Sequence, residues 1–241
     1  MQSLGAVDLL PGLRHFNAMS DLPVLYSFRR CPYAIRARLA ILSSGRAVEL
    51  REIVLRDKAP EFLQVSPSAT VPCLKTDDAV IDESWDIMLW ALEFSDPENW
   101  LQPASGSMAE MHELVLRCDG PFKSHLDRYK YDVRYDDANR EEERALAAGF
   151  LSDLDERLKQ DRWLFGSAAS LADFAILPFV RQFANADRAW FDTQDWQPLR
   201  TWLEAFESSH AFQTVMPKWQ KWVSGDAPVR FPAEKMPETP A

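Results

Sequence analysis

Cysteine is sparse in this 241-residue chain. The three present, Cys31, Cys73 and Cys118, are odd in number and far apart. That pattern excludes a disulfide framework and fits a reducing compartment, so a cytoplasmic protein is expected. No run has the apolar length of a membrane span, and the start lacks the basic-then-apolar pattern of a secretory signal. The four histidines show no metal-ligand spacing, and no glycine-rich phosphate loop appears, so no metal cofactor is expected. Positive charge is also in deficit, with 27 Lys and Arg against 37 Asp and Glu and a net charge of −10. A broad nucleic-acid surface is therefore not expected, nor attraction to an acidic membrane.

What remains is ample for a core, with 46% hydrophobic residues. "PVLYSF" (23–28) is a β-favouring run. From Pro32 the apolar residues Ile35, Leu39 and Leu42 recur at helical spacing until Ser43-Ser44-Gly45. "VELREIVLR" (48–56) predicts a strand and "APEFLQVSP" (59–67) a short helix. "TVPCLKTDDAVIDES" (70–84) predicts two strands around an Asp77-Asp78 turn, and "SWDIMLWALEF" (84–94) a helix with Ser84 as N-cap. The order β-α-β-α-β-β-α predicts an α/β domain at 22–94 with a small mixed sheet. A polar linker (95–106) leads to residues of purely helical pattern (107–224). There Gly120-Pro121 is expected to bend one helix, and Leu146, Phe150, Leu154 and Leu158 form the stripe of another. Three more helices are predicted at 170–184, 198–208 and 213–223. The proline-rich tail (225–241) is expected to be loose. Residues 1–21 read as an extension, because "MSDLPVLYSF" from Met19 would itself make a natural start.

The segment "YSFRRCPYAIRARLAI" (26–41) concentrates chemistry around Cys31. A thiol reacts as thiolate, and a free cysteine has a pKa near ~8.5. Cys31 falls at a helix start, where unpaired amides and the helix dipole favour negative charge. Pro32 suits the first helical position. Between residues 22 and 60 there are eight Lys and Arg against three acids. These features predict a depressed Cys31 pKa. A redox pair needs a second cysteine three residues on, but the sequence is "CPYA", so a resolving thiol must come from a small molecule. Glutathione, an abundant anionic thiol, is the obvious candidate.

Together, "SFRRCPYAIRARLAI", "LRDKAPEFLQVSPSATVPCL" and the "DES" before a helix resemble the thioredoxin-like N-terminal domain of the glutathione S-transferase superfamily. They most resemble its cysteine-containing omega and glutaredoxin-like branch. "SLADFAILP" resembles the capping-box helix of that family's all-helical C-terminal domain. The resemblance covers residues 22–224. It implies Cys31 as catalytic thiol with Tyr33 close to the glutathione sulfur, and Lys58 against the glycyl carboxylate. It also implies Val71, before a cis-Pro72, bonding the cysteinyl part through its main chain, and Glu83 and Ser84 holding the γ-glutamyl end. Each has a structural alternative: Lys58 a solvated cation, Pro72 a strand stop, Glu83 a strand-end charge, Ser84 a cap. Cys73 and Cys118 are expected in the core, and Ser170 with Asp173 as a structural capping box. "DRYKYDVRY" (127–135) could wall a second-substrate pocket or brace a helix end.

The resemblance implies a glutathione-dependent thiol transferase, with glutathione as cosubstrate, a small-molecule or glutathionylated second substrate, and a homodimer. Two alternatives stay open: conjugation of electrophiles to glutathione, with Tyr26 or Ser27 as activator, and a non-catalytic binding protein of the stringent-starvation type.

Overall fold

Strand β1 (Val24–Ser27) and helix α1 (Pro32–Ser44) begin the part of the chain that the computed structural model describes, residues 22–233. The extension at 1–21 and the end of the tail lie outside it. Pro32 starts α1, and Gly45, at φ 68°, ends it in a left-handed conformation that costs glycine least. β2 (Val48–Glu52) pairs parallel with β1, the pairing a crossover through α1 permits. After α2 (Pro60–Val65), β3 (Cys73–Lys75) and β4 (Val80–Ile81) form a hairpin beside β1, followed by α3 (Ser84–Phe94). The predicted strand 48–56 is shorter than its pattern, because residues 54–57 turn back through a Val54–Asp57 bridge.

The second part is helical: α4 (Met108–Arg117), α5 (Lys123–Lys130), α6 (Arg140–Leu158), α7 (Leu171–Ala184), α8 (Arg188–Asp192), α9 (Gln197–Ser208) and α10 (His210–Val215). A π-helical turn at Cys118–Phe122 joins α4 to α5 at Gly120-Pro121, where the bend was expected. The architecture is thus a thioredoxin-like sheet with helices followed by an all-helical part. Trp100 is buried in the connection between them. Its ring stacks on Phe174 at 3.8 Å, while Asp96 accepts from the Trp100 and Leu101 N–H groups at 2.9 Å each.

The structure corrects several details. Ser84 is the first residue of α3, and Glu83 occupies the cap position without a side-chain cap bond. Leu146 is 58% exposed, so the buried stripe of α6 runs through Ala147, Phe150, Leu151, Leu154 and Leu158. α8 has no counterpart among the predicted helices, and α10 ends at Val215 where a helix to 223 was expected. The tail is not wholly loose. Arg230–Phe231 form β5, antiparallel to β2, and extend the sheet to the order β4-β3-β1-β2-β5.

One core spans both parts. α1 packs on α3 and on α7, so Ile35, Leu39, Ile87, Met88, Ile176 and Phe179 are buried together. A smaller cluster, with Tyr26, Phe62, Val71, Cys73 and Trp222, covers the other sheet face. Burying each large apolar side chain favours folding by about 1.5–3 kcal/mol, which anchors α1 and the residue before it between the two parts.

Candidate active site

Cys31 sits at the N-cap of α1, held there by its own N–H donating to Phe28 O at 3.0 Å. Its side chain makes no cap bond and is partly exposed. Sγ lies 3.5 Å from the main-chain oxygen of Val71, so Cys31 and Val71, 40 residues apart, meet at one point. The Val71–Pro72 bond is cis, as expected. The Val71 N–H makes no hydrogen bond among the described residues, so both main-chain polar groups beside the thiol can meet an extended peptide. The loop before Val71 is fastened by Asp82, which accepts from Ser66 Oγ at 3.0 Å and from Ser68 N–H at 2.9 Å. Burial alone would raise the Asp82 pKa, but the hydrogen bonds from Ser68, Ser66 and Cys73 outweigh it and leave it lowered.

The expectation of a depressed Cys31 pKa is overturned. Burial is the largest influence and raises the thiol above its ordinary value. The opposing effects, from the helix-start N–H groups of Ala34 and Tyr33 and from Arg38 and Lys123, are smaller. Two of the flanking arginines, Arg36 and Arg38, are spent on buried partners rather than forming a free positive field. Arg36, only 1% exposed, donates from Nε to Ser84 Oγ at 3.0 Å and forks onto both Asp119 oxygens at 2.9 and 2.7 Å. Arg38, wholly buried, donates to Ser27 Oγ, to Val215 O at 3.0 Å and to Arg29 O at 3.0 Å. Burial lowers the Arg38 pKa to about 10, with Glu52 opposing. Both guanidiniums therefore brace the site from beneath.

The remaining candidates are spread around this point. Tyr33 packs edge-on against Phe179 of α7 at 4.7 Å, with the Arg36 guanidinium 5.0 Å from its ring centre. Burial, then Asp119, raise its hydroxyl pKa, and the Cys31 charge adds to this, so the two side chains sense each other. Ser84 is buried and its hydroxyl is tied to Arg36. Glu83 is exposed at the start of α3, and half-buried Lys58 makes no hydrogen bond or ion pair among the described residues. No contact links Lys58 or Glu83 to Cys31.

Two hydroxyls that could have replaced the thiol are committed elsewhere. Tyr26 is 2% exposed and its hydroxyl accepts from Arg51 at 3.1 Å, and Ser27 is fully buried against Arg38. Cys73 and Cys118 are fully buried. Burial, then Asp82, push the Cys73 thiol up to about 12, and burial raises Cys118 well above its ordinary value. Cys31 is thus the one reachable thiol among the described residues. Sequence reasoning missed Asp82 and Asp119, which carried no local signal, since their partners are distant in the chain.

Ser170 and Asp173 form the expected capping box at the start of α7. The fully buried Asp173 carboxylate also accepts from Leu164 N–H and Trp202 Nε1, which makes it a structural hub. No helix of the described residues is long and apolar enough to cross a membrane.

Two family models match. One is the glutathione S-transferase N-terminal domain, over residues 25–99, and the other is the glutathione S-transferase C-terminal domain, over 137–205. Together they span more than half of the chain. "Glutathione S-transferase Z2" of Arabidopsis thaliana is 25% identical over 207 residues, covering 81% of this chain and 91% of that protein. "Glutathione S-transferase U22" of the same plant is 32% identical over 87 residues, covering 36% of this chain and 40% of that one. Among solved structures, a glutathione transferase family member from Pseudomonas fluorescens, with two glutathione bound, superposes with a TM-score of 0.71. It is 19% identical and the match covers 81% of this chain and 92% of that one.

Proposed function

From the premise that the chain belongs to the glutathione S-transferase superfamily, we propose that it is a glutathione-dependent thiol transferase in which Cys31 forms a mixed disulfide with glutathione. The observation that carries this reading is the chemistry of the one accessible group at the helix start. It is a thiol, while the Tyr26 and Ser27 hydroxyls are sealed in the core. A hydroxyl there would activate glutathione for conjugation. A thiol instead competes for the glutathionyl sulfur. The two curated relatives bear Z and U designations, so the likeness to the omega and glutaredoxin-like branch rests on Cys31 itself.

In this reading the Val71 N–H and C=O take the cysteinyl part of glutathione as an added strand. Glu83 meets the ammonium of the γ-glutamyl end. The Ser84 hydroxyl and the first amides of α3 meet its carboxylate, and Lys58 meets the glycyl carboxylate. Cys31 attacks the glutathionyl sulfur of a mixed disulfide. The S–S bond to the acceptor breaks, and that acceptor leaves as a thiol carrying the proton lost from Cys31. Glutathione then attacks the Cys31–glutathionyl bond, releasing glutathione disulfide and restoring the Cys31 thiol. The amides of Tyr33 and Ala34 face the sulfur and stabilise the thiolate as it forms and departs. Pairing into a homodimer and work in the reducing cytoplasm belong to the same proposal, and light scattering tests the first.

The test is turnover of a glutathionylated disulfide by the wild type and by Cys31→Ser. The variant is expected to lose thiol transfer while keeping glutathione affinity. Full activity in Cys31→Ser would overturn the assignment. Loss of transfer with faster conjugation of a model electrophile would favour the conjugating reading.

A further inference from the structure

Beside Cys31, a cleft of about 290 Å³ opens between the β1–α1 loop and the helical part. Four cations line it: Arg29 and Arg30, which directly precede the thiol, Lys130 at the end of α5, and Arg181 of α7. Its apolar lining is Ile35, Pro178 and Met216. So concentrated a positive charge is out of character for a chain of net charge −10.

Little in the fold neutralises these cations. Among the described residues the Arg29 and Arg30 side chains make no ion pair; Arg30 only lies over the Phe28 ring at 5.6 Å. Lys130 lies over the Tyr131 ring at 5.2 Å. Arg181 alone has an acidic partner, Glu207 at 3.3 Å, and Glu207 is shared with Arg188 at 3.0 Å. The other acids nearby are Asp127, bonded to Lys123, and Glu52, whose Oε1 is taken by the Arg29 N–H at 2.7 Å. The like charges feel one another. Burial, then Arg30, lower the Lys130 pKa, with Lys123 and Arg181 adding to the effect against Asp127. Gln182 Oε1, on the cleft wall, is buried with no hydrogen-bond partner among the described residues. Four cations crowded in a half-enclosed cleft, with Glu207 the one acid paired to any of them, repel one another until an anion enters.

The cleft is next to Cys31 in the fold: Arg29 and Arg30 directly precede it, and Ile35, a third lining residue, donates its N–H to Cys31 O at 2.9 Å. We infer that this cleft binds the second substrate as a carboxylate-bearing molecule with an apolar body, and so selects anionic acceptors for exchange at Cys31. The inference deepens the thiol-transferase reading and rests on it for the word acceptor; the anion site itself does not need catalysis. The carboxylate has two possible sources, an acidic acceptor thiol or a second glutathionyl group.

Calorimetry on the full-length protein tests the site without turnover, with 3-phenylpropionate and its neutral amide as probes. The carboxylate is expected to bind at least about tenfold more tightly than the amide, a difference worth about 1.4 kcal/mol. Raised salt should weaken the carboxylate selectively. Arg30→Gln/Lys130→Gln should abolish the preference, while Arg162→Gln, an exposed cation outside the cleft, should preserve it. Equal affinity for acid and amide in the wild type, or a preference that survives the double substitution, overturns the inference. S-methylglutathione stoichiometry separates the sources. Two per chain, falling to one in the double variant, assigns the cleft to a second glutathionyl group. One per chain, with phenylpropionate still bound, assigns it to an acidic acceptor. Failure of Cys31 to exchange, with the carboxylate preference intact, would overturn the thiol-transferase reading and leave the anion site standing.

Discussion

Asp119→Ala should be among the most destabilising single changes near the site. Asp119 supplies both acceptors for the guanidinium fork of Arg36, at 2.9 and 2.7 Å, and Arg36 is 1% exposed. Removing the carboxylate leaves a buried cation with one acceptor, Ser84 Oγ, and two ring faces, Tyr33 at 5.0 Å and Phe179 at 5.2 Å. Breaking a fully buried ion pair from one side costs about 3–5 kcal/mol. The Asp119 side chain is 23% exposed, so water reaches the vacated place. The lower edge, about 3 kcal/mol, is therefore the expected cost, and in a chain of this length it lowers Tm by about 6–12 °C. Arg36→Met should cost less, because the surviving carboxylate can turn to water. The pair Arg36→Met/Asp119→Ala should be more stable than Asp119→Ala alone, since no uncompensated buried charge remains. Differential scanning calorimetry of the four proteins gives the cycle. An Asp119→Ala protein within about 2 °C of wild type, or a double variant worse than the sum of the single changes, would refute the view that a buried charge is what Asp119 compensates.

Two other outcomes follow from the site. Because burial raises the Cys31 thiol, its alkylation should have a pH midpoint above the ordinary value of about 8.5, shifting down to that value in denaturant. The thiolate fraction, and with it the exchange rate, should climb as pH rises toward that midpoint, and a midpoint near neutrality would contradict the burial argument. Glu83→Ala should weaken glutathione binding roughly ten- to hundredfold, the worth of a charged hydrogen-bond partner, with little effect on alkylation of Cys31, and unchanged affinity by calorimetry would remove Glu83 from the site.

Much of this structure was legible from local chemistry. Pro32 and Gly45 bracket α1 as their backbone preferences dictate, and the 3.6-residue spacing found α3 and α7. Cys31 at a helix start was readable from "CPYA", and the committed hydroxyls of Tyr26 and Ser27 were readable only as an open alternative. What escaped the sequence depends on partners far along the chain. Arg36 meets Asp119 across 83 residues and Arg38 meets Val215 across 177, so arginines that look like a charged surface are buried braces. Burial of the thiol itself, which no local pattern shows, reversed the sign of the Cys31 shift. β5 is two residues in a proline-rich tail, too short for any alternation to register, and it exists because β2 presents an edge to pair with. Leu146 follows helical spacing yet faces outward, because periodicity fixes a stripe but not the exact face that packs.

Intact mass spectrometry after mixing the native protein with glutathione disulfide tests the central claim most directly. The account expects a single glutathionyl adduct, mapped to Cys31, reversed by reduced glutathione and absent from Cys31→Ser, with Cys73 and Cys118 unmodified because both are fully buried. No adduct at Cys31 in folded protein, or an adduct that persists in Cys31→Ser, would contradict it.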